Sequence, residues 1–588
     1  MDRRAYADFP AASRASSPQK NLRARGDMQK SLQIPVDSAA GKHARPARSQ
    51  DARTMTSHTT HRILASTIAF AAGALATSAS AQYSSDSTTP LAIRATALDD
   101  VQAKIAPGPN GSQYISYFSD AGYDVYIDRL DASGHSMWSA PVLVEDRAFS
   151  STVDYGMASD ASGNAYISYN SLAKNGTDPA QKVASGGPDG AIRWKTIFYT
   201  APSVSLGNGR VTVASDGFVW GATSVGFDSA IARLDPTTGA MSFTPATYIT
   251  ETSAKQICSG LQPSTDGTVI LSTVRYTTTF SNKILRAHKI ATDGTRPWAA
   301  AGNAVASAGN IQTGNFPDFI SDGSGGAYFS WYTTNPLTCR VQHMDSTGAM
   351  TFGTDGFAVG TSTTASFGGT TSTLNRTNPS TVRGADGRVY CFFRAYSGSI
   401  AGIVWYGIGA QCFNTDGTTA WGTDGVMVED YLPSSAGSVY DRQVGSAINF
   451  GNGIGCSYVD AATAVDNTAM AVRMNSDGTL AWRTTVASNS GVKYRFVSST
   501  APSNAAVLAW QGGRTIGASD IYCARVDSTG VLGAPAGITG DLNGDGLVNA
   551  SDLATLLNQW GGPGSADFDQ DGAVSASDLA TLLNNWTN

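Results

Sequence analysis

The stretch Arg473-Met-Asn-Ser-Asp-Gly-Thr-Leu-Ala-Trp482 is the clearest copy of a unit that recurs along the chain. In each copy an apolar run ends at a polar turn, a glycine follows, and an aromatic residue stands four positions after the glycine. Glycine suits a turn that needs a positive φ angle. The pairs are Gly134/Trp138, Gly190/Trp194, Gly239/Phe243, Gly294/Trp298, Gly348/Phe352, Gly417/Trp421 and Gly478/Trp482, and the eighth copy, Gly530/Ala534, lacks the aromatic residue.

A second turn lies within each repeat and precedes an alternating apolar run such as Ala165-Tyr-Ile-Ser-Tyr169 or Ala327-Tyr-Phe-Ser-Trp331. Asp-Gly between alternating runs is a strong hairpin pattern. Successive copies lie 49 to 69 residues apart, which is room for about four strands each. A strand-only repeat of this length predicts a mostly β fold, an eight-bladed β-propeller over residues 82–539, with seven blades as the alternative.

The glycine–aromatic unit resembles the tryptophan-docking repeat of quinoprotein-type propellers, with Arg129-Leu-Asp-Ala-Ser-Gly-His-Ser-Met-Trp138 as a second close copy. The resemblance implies architecture only. Quinone dehydrogenases of this fold carry adjacent paired cysteines beside the cofactor, and this chain has no Cys-Cys pair. We therefore expect no organic cofactor.

The C-terminal 48 residues contain two similar oxygen-rich loops, which begin at Asp541 and Asp567. In a twelve-residue calcium loop, positions 1, 3, 5, 9 and 12 supply side-chain oxygens, position 7 supplies a carbonyl, and position 6 is glycine. This spacing predicts two Ca²⁺ ions. The predicted ligands are Asp541, Asn543, Asp545, Leu547, Asn549 and Asp552 in the first loop and Asp567, Asp569, Asp571, Ala573, Ser575 and Asp578 in the second.

Apolar residues follow each loop at helical spacing. They are Leu553, Leu556, Leu557 and Trp560 after the first loop and Leu579, Leu582, Leu583 and Trp586 after the second. Each helix is too short to be stable alone, so we expect the two faces to pack against each other. Folding of this small α domain, residues 540–588, is expected to depend on calcium.

These loop–helix repeats resemble the type I dockerin module of bacterial extracellular polysaccharide-degrading systems. The resemblance implies a cohesin-like partner on a scaffold or cell surface. In that family loop positions 10 and 11 often contact the partner, which here implies Ala550, Ser551, Ala576 and Ser577. The short connection Gly561–Ala566 and the helix residues Asn558 and Asn584, where dockerins usually carry basic residues, depart from the family pattern.

The sequence of the N-terminal region indicates that the protein is exported. We expect residues 1–54 to be either a disordered basic leader or an upstream stretch before a true start at Met55. Residues 55–81 form a signal peptide whose Ala79-Ser80-Ala81 cleavage pattern ends before Gln82. The remaining chain has 28 basic and 41 acidic residues, and its net charge of −13 argues against a nucleic-acid partner. No second apolar span is visible, so we expect a secreted, extracellular or cell-surface protein.

Export permits disulfides among the six cysteines. Cys391 and Cys412 stand in two strands of one repeat, so the sequence allows a bridge between them. The alternative is that the cysteines are buried free thiols, which behave as small apolar side chains.

No catalytic motif occurs in the propeller region, so the catalytic residues are unknown. The histidines His135, His288 and His343 occupy non-matching positions of the repeat. Asp154, Asp318 and Asp441, near the first strands of their blades, are the first carboxylates to consider for a site in the channel.

The sequence therefore favours an exported docking protein whose propeller binds a ligand or protein and is not an enzyme. The alternative is a polysaccharide-degrading enzyme, a glycoside hydrolase or lyase, and in the former case it would hydrolyse O-glycosyl bonds. In a third interpretation the tail is a stabilising calcium cap that docks to nothing.

Overall fold

In the computed structural model, the described residues are 82–147, 154–173, 175–202, 204–279, 281–307, 311–312, 319–434, 441–463, 466–513, 519–535, 537, 539–542, 548–569 and 571–586. The predicted leader and signal peptide, residues 1–81, lie outside these ranges, as does Asp318. No helix within these ranges is long and apolar enough to span a bilayer.

Eight antiparallel sheets follow one another along the chain. The first four blades consist of β2 (Val101–Pro107), β3 (Gln113–Ser119), β4 (Asp124–Leu130) and β5 (Val142–Glu145); β6 (Gly156–Ser159), β7 (Ala165–Leu172), β8 (Pro179–Gly186) and β9 (Ile192–Thr200); β10 (Leu206–Val213), β11 (Val219–Val225), β12 (Asp228–Leu234) and β13 (Thr247–Ile249); and β14 (Ala254–Pro263), β15 (Val269–Thr277), β16 (Ile284–Ile290) and β17 (Asn303–Ala306).

The other four blades include one five-stranded sheet and one sheet that uses the first strand of the chain. They consist of β18 (Phe319–Ser321), β19 (Ala327–Tyr332), β20 (Cys339–Met344) and β21 (Phe357–Ala358); β22 (Thr364–Phe367), β23 (Thr370–Arg383), β24 (Val389–Ser397), β25 (Trp405–Phe413) and β26 (Val426–Pro433); β27 (Asp441–Asn449), β28 (Ile454–Thr463), β29 (Asp466–Met474) and β30 (Leu480–Ala487); and β31 (Val492–Ala501), β32 (Ala505–Gly513), β33 (Ser519–Val526) and β1 (Leu91–Arg94).

One strand of each blade belongs to a closed inner ring; it is the first strand in seven blades and the second strand, β23, in the five-stranded blade. Each of β2, β6, β10, β14, β18, β23, β27 and β31 contacts the next, and β31 contacts β2. The apolar core lies between neighbouring blades; Ile270 of one blade, for example, shares a cluster with Phe329 and Trp331 of the next. The prediction of an eight-bladed propeller is confirmed.

The recurring spacing of glycine and aromatic residue within this chain is explained by contacts between blades. A Cβ atom at Gly190 would lie 3.1 Å from the Trp138 ring of the preceding blade, and the Trp138 indole donates to the Pro188 carbonyl at 3.1 Å. The aromatic residue therefore packs beneath the glycine turn of the next blade. Glycine suits this position because the ring lies close to where a side chain would start and because the φ angle of Gly190 is +83°.

Tyr83 supplies the aromatic residue that the eighth repeat lacks. A Cβ atom at Gly134 would lie 2.6 Å from the Tyr83 nitrogen, and the Tyr83 N–H donates to the Ser133 carbonyl at 2.9 Å. Tyr83 is 2% exposed and precedes β1, the outer strand of the eighth blade. The ring is thus closed by joining the N-terminal strand to three C-terminal strands, which explains why Ala534 is tolerated.

All six cysteines are buried free thiols, which is the second of the two alternatives that the sequence leaves open, and Cys391 and Cys412 do not form a bridge. In the sheet register Cys391 lies opposite Gln411, and Cys412 lies opposite Tyr390. Side chains alternate between the two faces of a sheet, so the two thiols point to opposite faces. They join different apolar clusters there.

His288 is fully buried in the fourth blade, where its Nε2 atom lies 3.2 Å from Thr273 Oγ1 and 3.3 Å from Gln256 Oε1. Burial, helped by the charges of Arg296 and Arg286, lowers the pKa of His288 to about 3. The folded protein therefore holds this imidazole neutral over the range in which a solvated histidine becomes protonated.

Acidification is expected to destabilise the propeller through His288. Below about pH 6.5 the unfolded chain binds a proton that the folded chain excludes, so stability falls as the pH decreases from about 6.5 towards 3. Between about pH 6.5 and 5, the wild type should lose about 2 kcal/mol more stability than His288→Gln. Urea unfolding at several pH values measures this difference. If the free energies of unfolding of the two proteins change equally with pH, the prediction is wrong.

Candidate functional site

The second loop of the tail brings three carboxylates together. Asp567, Asp569 and Asp571 each offer an oxygen atom, and these three atoms lie within 4.8 Å of one another. Asp569 and Asp571 are exposed and Asp567 is half-buried. Crowded carboxylate oxygens of this kind are the donors that Ca²⁺ prefers.

Backbone donors hold this loop in a tight turn. The N–H groups of Asp571 and Gly572 donate to the two oxygens of Asp567 at 3.1 and 2.9 Å, and the Ala573 N–H donates to Asp571 at 3.0 Å. Gly572 has a φ angle of +101°, which residues with a Cβ rarely adopt. The glycine at loop position 6 therefore has the conformational role that the pattern predicts.

Asp578, at loop position 12, connects the loop to the following helix, α2 (Ala576–Asn584). Its oxygens accept from the Phe568 N–H at 2.6 Å and from the Ser575 N–H at 2.8 Å. Burial acts to raise the pKa of Asp578, but these backbone hydrogen bonds and one from Asp569 outweigh it and lower the pKa. The carboxylate is thus held ionised at the inner end of the loop.

The first loop repeats this connection to its helix, α1 (Ala550–Asn558). Asp552 accepts from the Leu542 N–H at 2.8 Å and from the Asn549 N–H at 2.9 Å. A carboxylate retains further lone pairs after accepting two such bonds, so each position-12 aspartate can also face an ion.

Asn549 and Ser575, predicted as ligands at position 9, are the N-caps of the two helices. The Asn549 side chain accepts from the Ser551 N–H at 2.8 Å, and the Ser575 hydroxyl accepts from the Ser577 N–H at 3.3 Å. Loop position 9 often reaches calcium through water, which is compatible with capping. Their role as ligands stays a prediction.

The remaining predicted ligands are only partly described. Asp541 and Ala573 occupy positions 1 and 7 of their loops, whereas Asn543, Asp545 and Leu547 lie outside the described residues. Residues 539–588 include seven aspartates and no lysine, arginine or histidine. The tail itself therefore has no cationic side chain to neutralise its loops, and its donor set fits a hard divalent cation.

The two helices bury only part of the predicted apolar faces. Leu556 and Leu582 are fully buried and share a cluster with Val548, Val574 and Ala566. In contrast, four large residues at corresponding positions of the repeats are exposed: Leu557 by 53%, Trp560 by 47%, Leu583 by 50% and Trp586 by 38%. The expectation that all eight apolar residues pack between the helices is therefore wrong for these four.

The predicted partner contacts are also accessible. Ala550, Ser551, Ala576 and Ser577 are all exposed in the first turns of the helices. Each repeat thus presents an Ala-Ser dyad and, about two turns along, a leucine and a tryptophan. We call these two sets the docking faces.

Family comparison agrees with this geometry. Residues 539–585 match the model of the dockerin type I domain. The tail is a dockerin domain. Domains of this type generally bind calcium and imply a cohesin partner, and dockerin modules occur in extracellular proteins.

Several solved structures resemble the chain at low sequence identity. An ulvan lyase of polysaccharide lyase family PL25 is 12% identical, with 77% of this chain and 94% of that chain covered and a TM-score of 0.36. The Dos1 propeller is 9% identical, with 74% and 94% covered and a TM-score of 0.42. A PQQ-bound aldose sugar dehydrogenase from Streptomyces coelicolor is 14% identical, with 52% and 91% covered and a TM-score of 0.30. No curated protein matches the chain significantly.

Asp154 and Asp441, two of the carboxylates predicted to face the channel, are ion-paired. Asp154 lies between Lys104 and Arg210 of the neighbouring inner strands, at 2.7 and 2.8 Å. Burial opposes its ionisation, but the two cations outweigh burial and hold the pKa of Asp154 well below its usual range. Asp441 pairs with Arg394 at 2.5 Å and accepts from Gln443 at 2.7 Å. An acid whose charge is stabilised by two cations, as that of Asp154 is, is a poor proton donor.

His343 forms a chain of contacts that resembles a catalytic triad. Its Nδ1 atom lies 2.8 Å from Thr351 Oγ1 and its Nε2 atom 3.0 Å from Asp322 Oδ2. The corresponding positions of the third blade hold Arg233, Ser242 and Asp216, connected by bonds of 2.9 and 2.6 Å. Because an arginine occupies the same bridging position there, the His343 contacts are best explained as a structural connection between turns.

Other carboxylates connect neighbouring blades. Glu145, at the end of the first blade, pairs with Lys182 at 2.5 Å and Lys195 at 3.1 Å of the second blade. Glu429, at the equivalent position of the sixth blade, accepts from Tyr458 of the seventh at 2.5 Å. These carboxylates stabilise the contacts between blades.

Proposed function

We propose that this protein is exported and attached, through its calcium-loaded dockerin domain, to a cohesin-like protein outside the cell. The propeller is the attached cargo and binds a ligand or another protein. The observation that carries this proposal is the combination of a carboxylate cluster in the loop with exposed, repeated apolar residues on the helices.

Two calcium ions would bind, one in each loop. In the second loop Asp567, Asp569 and Asp571 would hold the ion, together with Asp578 at the inner end. When bound, calcium supplies positive charge and fixes the loop geometry. The chain's own residues do the rest: Asp552 and Asp578 connect each loop to its helix, and Leu556 and Leu582 pack the helices together.

The docking faces would form the contact with the partner. Exposed leucine and tryptophan side chains are costly to leave in water, and aromatic residues are enriched at binding hot spots. Because the two repeats present the same residue types, a partner could be bound through either face, in two orientations related by about half a turn.

The ion-paired state of Asp154 and Asp441 supports a binding role for the propeller. Glycoside hydrolysis needs one carboxyl group that holds a proton near neutral pH. Asp154 is not placed to do so, because it lies between two cationic side chains that lower its pKa.

Capture of partners from the native cell envelope tests the docking proposal. In excess calcium, the full chain should retain a protein with a cohesin domain, and Leu557→Asp/Leu583→Asp should lose at least tenfold in affinity since two desolvated contacts are replaced by charges. Val531→Asp is a matched control, because Val531 is 61% exposed and lies outside the dockerin domain. Equal capture by all three proteins, or by a chain without residues 539–588, would refute the proposal.

A further inference from the structure

Gln82 lies next to the place where the N-terminal and C-terminal strands close the ring. It is exposed, while the next residue, Tyr83, is 2% exposed and closes the ring beneath the Gly134 turn. The Tyr83 N–H donates to the Ser133 carbonyl at 2.9 Å, which fixes the peptide bond between Gln82 and Tyr83. Among the described residues, the contacts that close the ring therefore begin at Tyr83, the second residue after the expected cleavage site.

Space is available around the Gln82 side chain. A surface cavity of about 530 Å³ lies beside it, lined by Ser85, Thr89, Gly533 and Ala534 among others. Ala534, which occupies the position of the aromatic residue in the other seven repeats, is one of the small residues that line this cavity. Neither burial nor crowding thus prevents Gln82 from changing its shape.

We propose that Gln82 becomes the N-terminal residue on export and is modified to pyroglutamate. The α-amino nitrogen of Gln82 attacks its own side-chain amide carbon, a new C–N bond closes a five-membered lactam, and the bond to Nε2 breaks. The Nε2 group leaves as ammonia with the proton released by the amine. The reaction is an amide exchange and requires no oxidant, reductant or co-reactant.

The modification would protect the closure of the ring. An aminopeptidase needs a free α-amino group, and removal of Gln82 alone would place Tyr83 at the terminus. Removal of one further residue would delete the aromatic side chain that packs against Gly134. The lactam removes the amine and so blocks the first step. This inference rests on the export proposed above.

Mass spectrometry of the full-length chain, expressed with its leader in an exporting bacterium, tests the proposal. The intact mature protein should be lighter by one ammonia than a chain beginning with unmodified Gln82. The peptide 82–94, which trypsin releases after Arg94, should carry the difference. Measuring the intact mass before digestion excludes cyclisation during sample handling.

Gln82→Ala is the matched variant, because its exposed side chain leaves the ring contacts of Tyr83 unchanged and cannot form a lactam. We expect this variant to be shortened by aminopeptidase treatment while the wild type keeps its terminus. A wild-type chain that begins at Gln82 with a free amine would overturn the modification and leave export intact. A terminus at any other residue would overturn both the predicted cleavage site and this inference.

Discussion

Replacing Tyr83 with alanine is expected to lower the free energy of unfolding by about 3 to 5 kcal/mol, the usual cost of deleting a buried aromatic ring. Tyr83 is 2% exposed and fills the space beneath Gly134 that a tryptophan or phenylalanine fills elsewhere. The substitution removes a contact at the place where the N-terminal and C-terminal strands join and the ring of blades closes. Urea unfolding followed by tryptophan fluorescence measures the effect.

Tyr83→Phe is the matched control, because it keeps the ring and removes only the hydroxyl group. Its effect on the free energy of unfolding should stay within about 1 kcal/mol. Trp482→Ala, which removes the equivalent aromatic residue beneath Gly530, should resemble Tyr83→Ala. If Tyr83→Ala is as stable as Tyr83→Phe, closure of the ring does not depend on this residue.

Calcium removal is expected to unfold the dockerin domain while the propeller stays folded. Without a cation, each pair among the three clustered carboxylates repels by about 1 kcal/mol even in water. The two helices contain nine residues each, and helices of this length are marginal without tertiary support. With excess chelator, the amide protons of both helices should exchange at the rates of an unstructured peptide.

Asp567→Asn/Asp571→Asn should show weak amide protection of the second loop even in excess calcium, because two charged ligands are lost. Asp293→Asn, in an exposed propeller turn, is the control and should respond to calcium as the wild type does. Helix amides that stay equally protected with chelator and with calcium would show that the domain folds without the ion.

Much of the fold was predictable because its determinants are local. Gly478 and Trp482 mark a turn whose sequence pattern recurs along the chain. The regular spacing of these turns predicts the number of blades. The closing role of Tyr83 was not predictable from this pattern. Tyr83 lies outside the repeats and meets Gly134 only when the two ends of the ring come together.

The candidate site was also predictable from the sequence only in part. The loop spacing predicts which oxygens could surround an ion, and the structure brings Asp567, Asp569 and Asp571 together. Helical periodicity predicts one apolar face from Leu553 to Trp560. It does not predict which residues of that face pack against the other helix and which are exposed to solvent. Leu556 and Leu557 are adjacent in sequence, yet one is buried and the other is 53% exposed. That difference depends on where the second helix lies.

The central claim is that the tail is a calcium-dependent docking domain, and isothermal titration of calcium into the chelator-stripped full chain tests its basis most directly. The account predicts two calcium ions per chain, and one ion in Asp567→Asn/Asp571→Asn. It also predicts that the protein recovers its partner binding only as these sites fill. No calcium binding by the wild type, or partner binding that is complete before any calcium is added, would contradict it.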